Sequence, residues 1–217
     1  MECKDCHGRQ EPPSKRLVPG QRTVPFGSFC WRVLDVQDGR ALLLAEEILE
    51  ERRYHSERTS VTWETCELRG YLNGEFLESF SGQEQSRMMQ IEHTTADNPW
   101  YGISGGGSTV DRVFLLSIEE VMKYFGDSGD LQARKSWDWD WEKEEWIQNG
   151  KGWTINDQYN HKRMAEYRGE AEWWWLRSPG VSGSGAAGVD NGGRLCMGGS
   201  DVFLGEGGVR PALWLKL

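Results

Sequence analysis

Two stretches near the C-terminus decide the fold: Trp173-Trp174-Trp175-Leu176-Arg177-Ser178-Pro179-Gly180 and Gly208-Val209-Arg210-Pro211-Ala212-Leu213-Trp214-Leu215. The first reads as a strand entering a turn, because aromatic and aliphatic residues run unbroken up to Ser-Pro-Gly. The second reads as a final strand. Between and into them runs a segment, 181–208, in which ten of 28 residues are Gly. That glycine load favours turns and irregular loops over a helical bundle.

Working outward, Phe29 to Val36 has strand character, Asp38-Gly39 is a hairpin signal, and Arg40 to Ala45 is its partner strand. In 61–80, Trp63, Leu68, Tyr71, Leu72, Phe76, Leu77 and Phe80 recur at helical spacing, with a local break at Asn73-Gly74. Ser81 with Glu84 forms a capping box for a helix to about residue 90. Asp111 to Leu116 is a short strand, and a second capping box, Ser117 with Glu120, opens a helix to Tyr124-Phe125. Strands, then helices, then a glycine-rich region of short strands make an α+β layout. No repeat or heptad is present.

The chain has 217 residues, which suits one domain at 24–217 behind a flexible leader at 1–23. Hydrophobic content is a modest 37%, offset by 12 Trp, each bringing a large apolar area. A net charge of −9 speaks against a nucleic-acid partner, which needs a basic stripe. No apolar run is long enough to span a bilayer. Met1 to Cys6 lacks the apolar core of a signal peptide, so the chain is expected in the cytoplasm unless a leaderless route or a phage particle carries it out.

The leader holds Pro12, Pro13 and Pro19, and Cys3-Lys-Asp-Cys6-His7, which has haem-attachment spacing and makes half a zinc site. No second Cys pair lies near it, so it reads as a solvent-exposed tail. The five Cys (3, 6, 30, 66 and 196) are odd in number and scattered, which does not read as a disulfide framework. At about 126–170 lies a Trp-rich insertion, where Trp137, Trp139 and Trp141 alternate with Asp138 and Asp140. Period two fits an edge strand, although so many rings in a polar stretch also fit an exposed loop. Its rings either cap the insertion's own core or offer a second contact surface for a sugar or a cationic peptide.

These motifs resemble a bacterial domain family with a C-type-lectin-like fold, related to the formylglycine-generating enzymes. The resemblance rests on Trp174 to Gly180, Ala186-Ala187-x-Val189, Gly199-x-x-Val202 and Gly208 to Leu213. Upstream, Phe26 to Leu34, Val61 to Glu64, Leu68 to Asn73 and Asp111 to Ser117 carry it too. It covers about 24–125 and 173–215, and implies small antiparallel sheets with flanking helices and extensive loops. The family includes the variable proteins of diversity-generating retroelements, in which a reverse transcriptase rewrites part of the gene, mainly at adenines. The resemblance thus implies a non-catalytic binder that displays a diversified surface to a protein or cell-surface ligand.

Rewritten codons yield a set that excludes Lys, Glu, Gln, Met and Trp. Between the framework positions of 181–207, only Met197 and Glu206 fall outside the allowed set. The ligand-binding candidates are Val181, Ser182, Ser184, Asp190, Asn191, Arg194, Cys196, Ser200, Asp201, Phe203 and Leu204, with Trp137, Trp139 and Trp141 as secondary candidates. Hydroxyls, a carboxamide and a few large anchors on a rigid frame resemble other paratopes. The frame is expected from Trp174, Trp175, Leu176, Val189, Val202, Val209, Leu213 and Trp214, with Arg177 and Arg210 in interior ion pairs.

Two alternatives stand beside this reading. One is an undiversified carbohydrate- or protein-binding scaffold. The other is an oxidase of the formylglycine-generating type, which would need a Cys pair and copper, whereas Cys30, Cys66 and Cys196 sit in no active-site motif. The four His (7, 55, 93 and 161) lack metal-site spacing, and no nucleophile elbow, phosphate loop or calcium-lectin sugar motif is present. No catalytic residue, metal or cofactor is assigned.

Overall fold

The computed structural model describes residues 23–134, 136–140, 142–149, 152–203, 205 and 207–217, leaving the side chains of 136–139, 146, 148 and 149 undescribed. The leader motif Cys3/Cys6/His7 lies outside the described residues. The chain opens with β1 (Thr23–Phe26), β2 (Phe29–Gln37), β3 (Arg40–Ala45) and β4 (Glu50–Arg52). Three helices follow: α1 (Glu67–Asn73), α2 (Glu75–Glu78) and α3 (Gly82–Arg87). Then come β5 (Ile91–His93), β6 (Thr109–Asp111), β7 (Val113–Phe114), α4 (Ile118–Phe125) and α5 (Asp130–Ala133). The insertion adds β8 (Ser136–Asp140), β9 (Glu145–Asn149), β10 (Thr154–Ile155), α6 (Asn160–Arg163), β11 (Ala165–Tyr167) and β12 (Glu170–Glu172). Five strands close the chain: β13 (Trp174–Pro179), β14 (Gly185–Val189), β15 (Leu195–Asp201), β16 (Gly207–Val209) and β17 (Ala212–Lys216).

The class is α+β. One sheet runs β1-β2-β3-β17-β7 and the other β10-β15-β14-β13-β16-β4. The second stretch quoted above joins them. Gly208 pairs with Trp174 in the second sheet, and Leu213 pairs with Leu43 in the first. Arg210 and Pro211 make the crossing. The Arg210 guanidinium donates to the carbonyls of Ala45 and Glu46 and lies 5.1 Å from the Trp174 ring. Arg210 thus meets carbonyls where an interior ion pair was expected, while Arg177 does pair with Glu120 at 2.5 Å.

Local chemistry explains the element ends. In both capping boxes the serine accepts from the N3 amide while the glutamate reaches back to the cap amide. Each satisfies two orphan donors at the helix start. The helix after Ser81 stops at Arg87, because Met88 bridges to Leu215 instead. The 61–80 pattern yields two short helices, because Cys66 caps α1 and the chain bends at Gly74.

Buried residues of both sheets and of α1 and α4 form one continuous cluster that includes Trp31, Trp63, Trp174, Trp175 and Trp214. The frame residues named from sequence all lie in it. Asn98 is buried, and its amide donates to the carbonyls of Pro179 (2.7 Å) and Met197 (2.9 Å) while its oxygen accepts from the amides of Trp100 and Tyr101. That one side chain clamps the 98–101 loop onto the end of β13 and onto β15. Among the described residues, no helix is long and apolar enough to cross a membrane. Cys30 is disulfide-bonded, whereas Cys66 and Cys196 are free.

Candidate functional site

The glycine-rich segment is ordered as the β14–β15 hairpin. Gly185 faces Asp201 and Ala186 faces Ser200 at its open end, and Val189 faces Leu195 at its turn. With about 3.3 Å per residue, the two ends lie roughly 13 Å apart. None of the sequence-derived candidates within the described residues is buried. Leu204 and Trp141 lie outside the described residues. Trp137 and Trp139 occupy β8, which pairs with β9, and their side chains are not described.

The hairpin divides the candidates into two groups. At the turn, Asp190 accepts from the amides of Gly192 (3.0 Å) and Arg194 (2.8 Å), and its second oxygen accepts from Arg194 Nε at 2.6 Å. Such a carboxylate holds its own turn together. Asn191 is exposed beside it. Cys196 is half-buried, pairs with Thr154, and has its thiol pushed up to about 12, chiefly by burial. Burial likewise pushes the Cys66 thiol up to about 12. Thiols held protonated at neutral pH are weak nucleophiles.

At the open end, Val181, Ser182, Ser184, Ser200, Asp201 and Phe203 come together. The Ser182 and Ser184 hydroxyls lie 3.3 Å apart, and the Val202 amide donates to the Ser184 carbonyl at 2.9 Å. A distant segment joins them. His55 donates its amide to the Val202 carbonyl at 3.0 Å, and Val61 donates its own to the Gly183 carbonyl at 2.9 Å. Residues 56–60, held between these anchors, are all exposed. Arg58 lies 3.9 Å from Asp201 and 5.7 Å from the centre of the Phe203 ring. Sequence reading missed Arg58 and Ser60, because nothing local marks a loop whose role comes from a contact over 120 residues away.

Trp153 belongs to the Trp-rich stretch weighed as a second contact surface but is not among the named candidates, and it is 56% exposed. Its carbonyl accepts from the amides of Met197 (2.8 Å) and Gly198 (3.1 Å). Its ring lies 5.9 Å from that of Tyr101. The signal in the sequence was the Trp-rich composition of 126–170, which does not single out one ring.

The glycines of the segment are not uniformly permissive. A Cβ at Gly199 would lie 2.0 Å from the Ala186 carbonyl oxygen, and one at Gly193 would lie 2.0 Å from that of Asn160. A Cβ at Gly207 would lie 2.3 Å from Trp175 Nε1. Gly185, by contrast, has only ordinary contacts at 3.6 Å. Many of these glycines let backbone and indole rings approach closely, so they belong to the frame.

Among the described residues no group of three or more His, Cys, Asp or Glu is placed to hold a metal ion. Residues 38–217 match the family model described as Domain of unknown function (DUF6273). No curated protein and no solved structure matches the chain.

Proposed function

The chain belongs to the DUF6273 family, and from that premise we propose that it is a non-catalytic ligand-binding protein on a C-type-lectin-like scaffold. Its changeable surface is the open end of the β14–β15 hairpin, and its ligand is a protein or cell-surface molecule. One observation carries the reading. Val181, Ser182, Ser184, Ser200, Asp201 and Phe203 stand accessible at one hairpin end, whereas Trp174, Trp175, Leu176 and Val209 beneath are 0% exposed. Side chains there can vary without disturbing the core, the condition a diversified binder needs. Arg58 and Ser60 flank that surface.

A second reading is an undiversified binding scaffold, favoured by the tight packing at Gly193, Gly199 and Gly207. Sequencing the DNA around the gene separates the two. Diversification requires a reverse-transcriptase gene and a near-copy of the segment encoding 173–215 that differs mainly at adenines. A locus with neither leaves the undiversified binder.

A further inference from the structure

We infer that Trp153, with Tyr101 beside it, is a stacking platform for a pyranose ring, so that the open end of the hairpin takes a neutral glycan. This rests on the reading of that end as a binding surface and names its ligand. The Trp153 indole, 56% exposed, presents an apolar face that a ligand can cover. Here the ring is also held in place. Its carbonyl is tied to β15 by two amides, and Tyr101 donates its hydroxyl to the Gly152 carbonyl at 3.4 Å. The buried Asn98 fixes the Tyr101 backbone, and the Arg134 guanidinium lies 5.4 Å from the Tyr101 ring. A ring fixed before the ligand arrives loses little entropy on binding.

Gly198 joins this platform to the candidate surface. A Cβ there would lie 2.5 Å from Trp153 Cε3, and the Gly198 carbonyl accepts from the Val181 amide at 2.9 Å. Beyond Val181 come the hydroxyls of Ser182 and Ser184, and Ser200 follows two residues after Gly198. A protein anchor side chain needs a desolvated pocket. This surface instead offers a flat ring packed against Gly198, with the hydroxyls of Ser182, Ser184 and Ser200 a few residues further along the chain from that contact. A sugar has the complementary form, with an apolar C–H face to lie on the indole and hydroxyls at its rim to bond the serines.

The test is titration of the full chain with cellohexaose, maltohexaose, mannohexaose and chitohexaose, by calorimetry and by indole fluorescence. At least one should bind. Trp153→Ala should weaken it tenfold or more, Trp153→Phe less, and Leu217→Ser, an exposed residue whose amide bonds the Gly39 carbonyl at the β2–β3 turn, not at all. Thermal melts should show all three variants folded. Failure of all four sugars to bind, or undiminished binding by Trp153→Ala, overturns the proposal. Binding lost in Ser182→Tyr but kept in Trp153→Ala would sink the platform and leave the binding surface standing. The reverse pattern would sink that surface and leave the platform.

Discussion

Gly207 packs so closely on Trp175 that a Cβ at the glycine would lie 2.3 Å from the indole Nε1, which itself donates to the Arg52 carbonyl at 2.9 Å. The indole is fully buried and cannot swing aside. Gly207→Ala should therefore destabilise by about 1–3 kcal/mol through overpacking. Gly185→Ala, whose methyl would meet only ordinary contacts at 3.6 Å, should stay within about 0.5 kcal/mol of the parent. Urea denaturation of both variants checks this, and equal effects would contradict the division of the glycines into frame and free positions.

The two ends of the hairpin should also respond differently. Asp190→Ala removes a carboxylate that bonds two amides and Arg194, and should cost about 1–2 kcal/mol. Ser182→Ala removes only a half-exposed hydroxyl and should cost under about 0.5 kcal/mol. Thermal melts of the pair measure the difference directly.

A buried carboxylate organises the interior near α1. Asp111 is 1% exposed and accepts from Trp63 Nε1 (2.9 Å), Thr109 Oγ1 (2.7 Å) and Arg69 Nε (2.7 Å). Asp111→Asn turns one acceptor into a donor facing other donors and leaves Arg69 without its anion. A loss of about 3 kcal/mol is expected in chemical denaturation.

Acid should weaken the fold before the carboxylates titrate. His93 is 6% exposed, lies 4.0 Å from the Phe114 ring centre, and has its pKa lowered from 6.5 to about 4 by burial first and then by Arg177. Between those values the unfolded chain binds a proton that the folded chain refuses. Stability therefore falls as pH drops from 6.5 towards 4, by up to about 3 kcal/mol. His93→Leu should flatten the curve of stability against pH between 6.5 and 5, where Glu46 and Asp157, both shifted downward, remain ionised. An unchanged slope in that variant would show that the loss arises elsewhere.

Much of the fold was legible in local chemistry. Asp38-Gly39 sets the β2–β3 hairpin, since both residues adopt positive φ. The two Ser/Glu boxes mark helix starts because the cap and its partner lie three residues apart. The quoted C-terminal stretches mark β13, β16 and β17 through runs of apolar residues between turn formers.

Only the tertiary structure decided which end of the glycine-rich hairpin gathers the accessible candidates. Asp190 and Arg194 looked available in sequence, but turn geometry closes them on each other. Arg58 and Ser60 looked incidental and Trp153 was one ring of several, but backbone pairing with Val202, Gly183 and Met197 sets where they stand. Composition fixes how much indole and glycine the chain holds, and local patterns fix its strands and caps. Which indole is buried against a glycine and which is left outside is set by contacts between residues far apart in the chain, which no short window of sequence encodes.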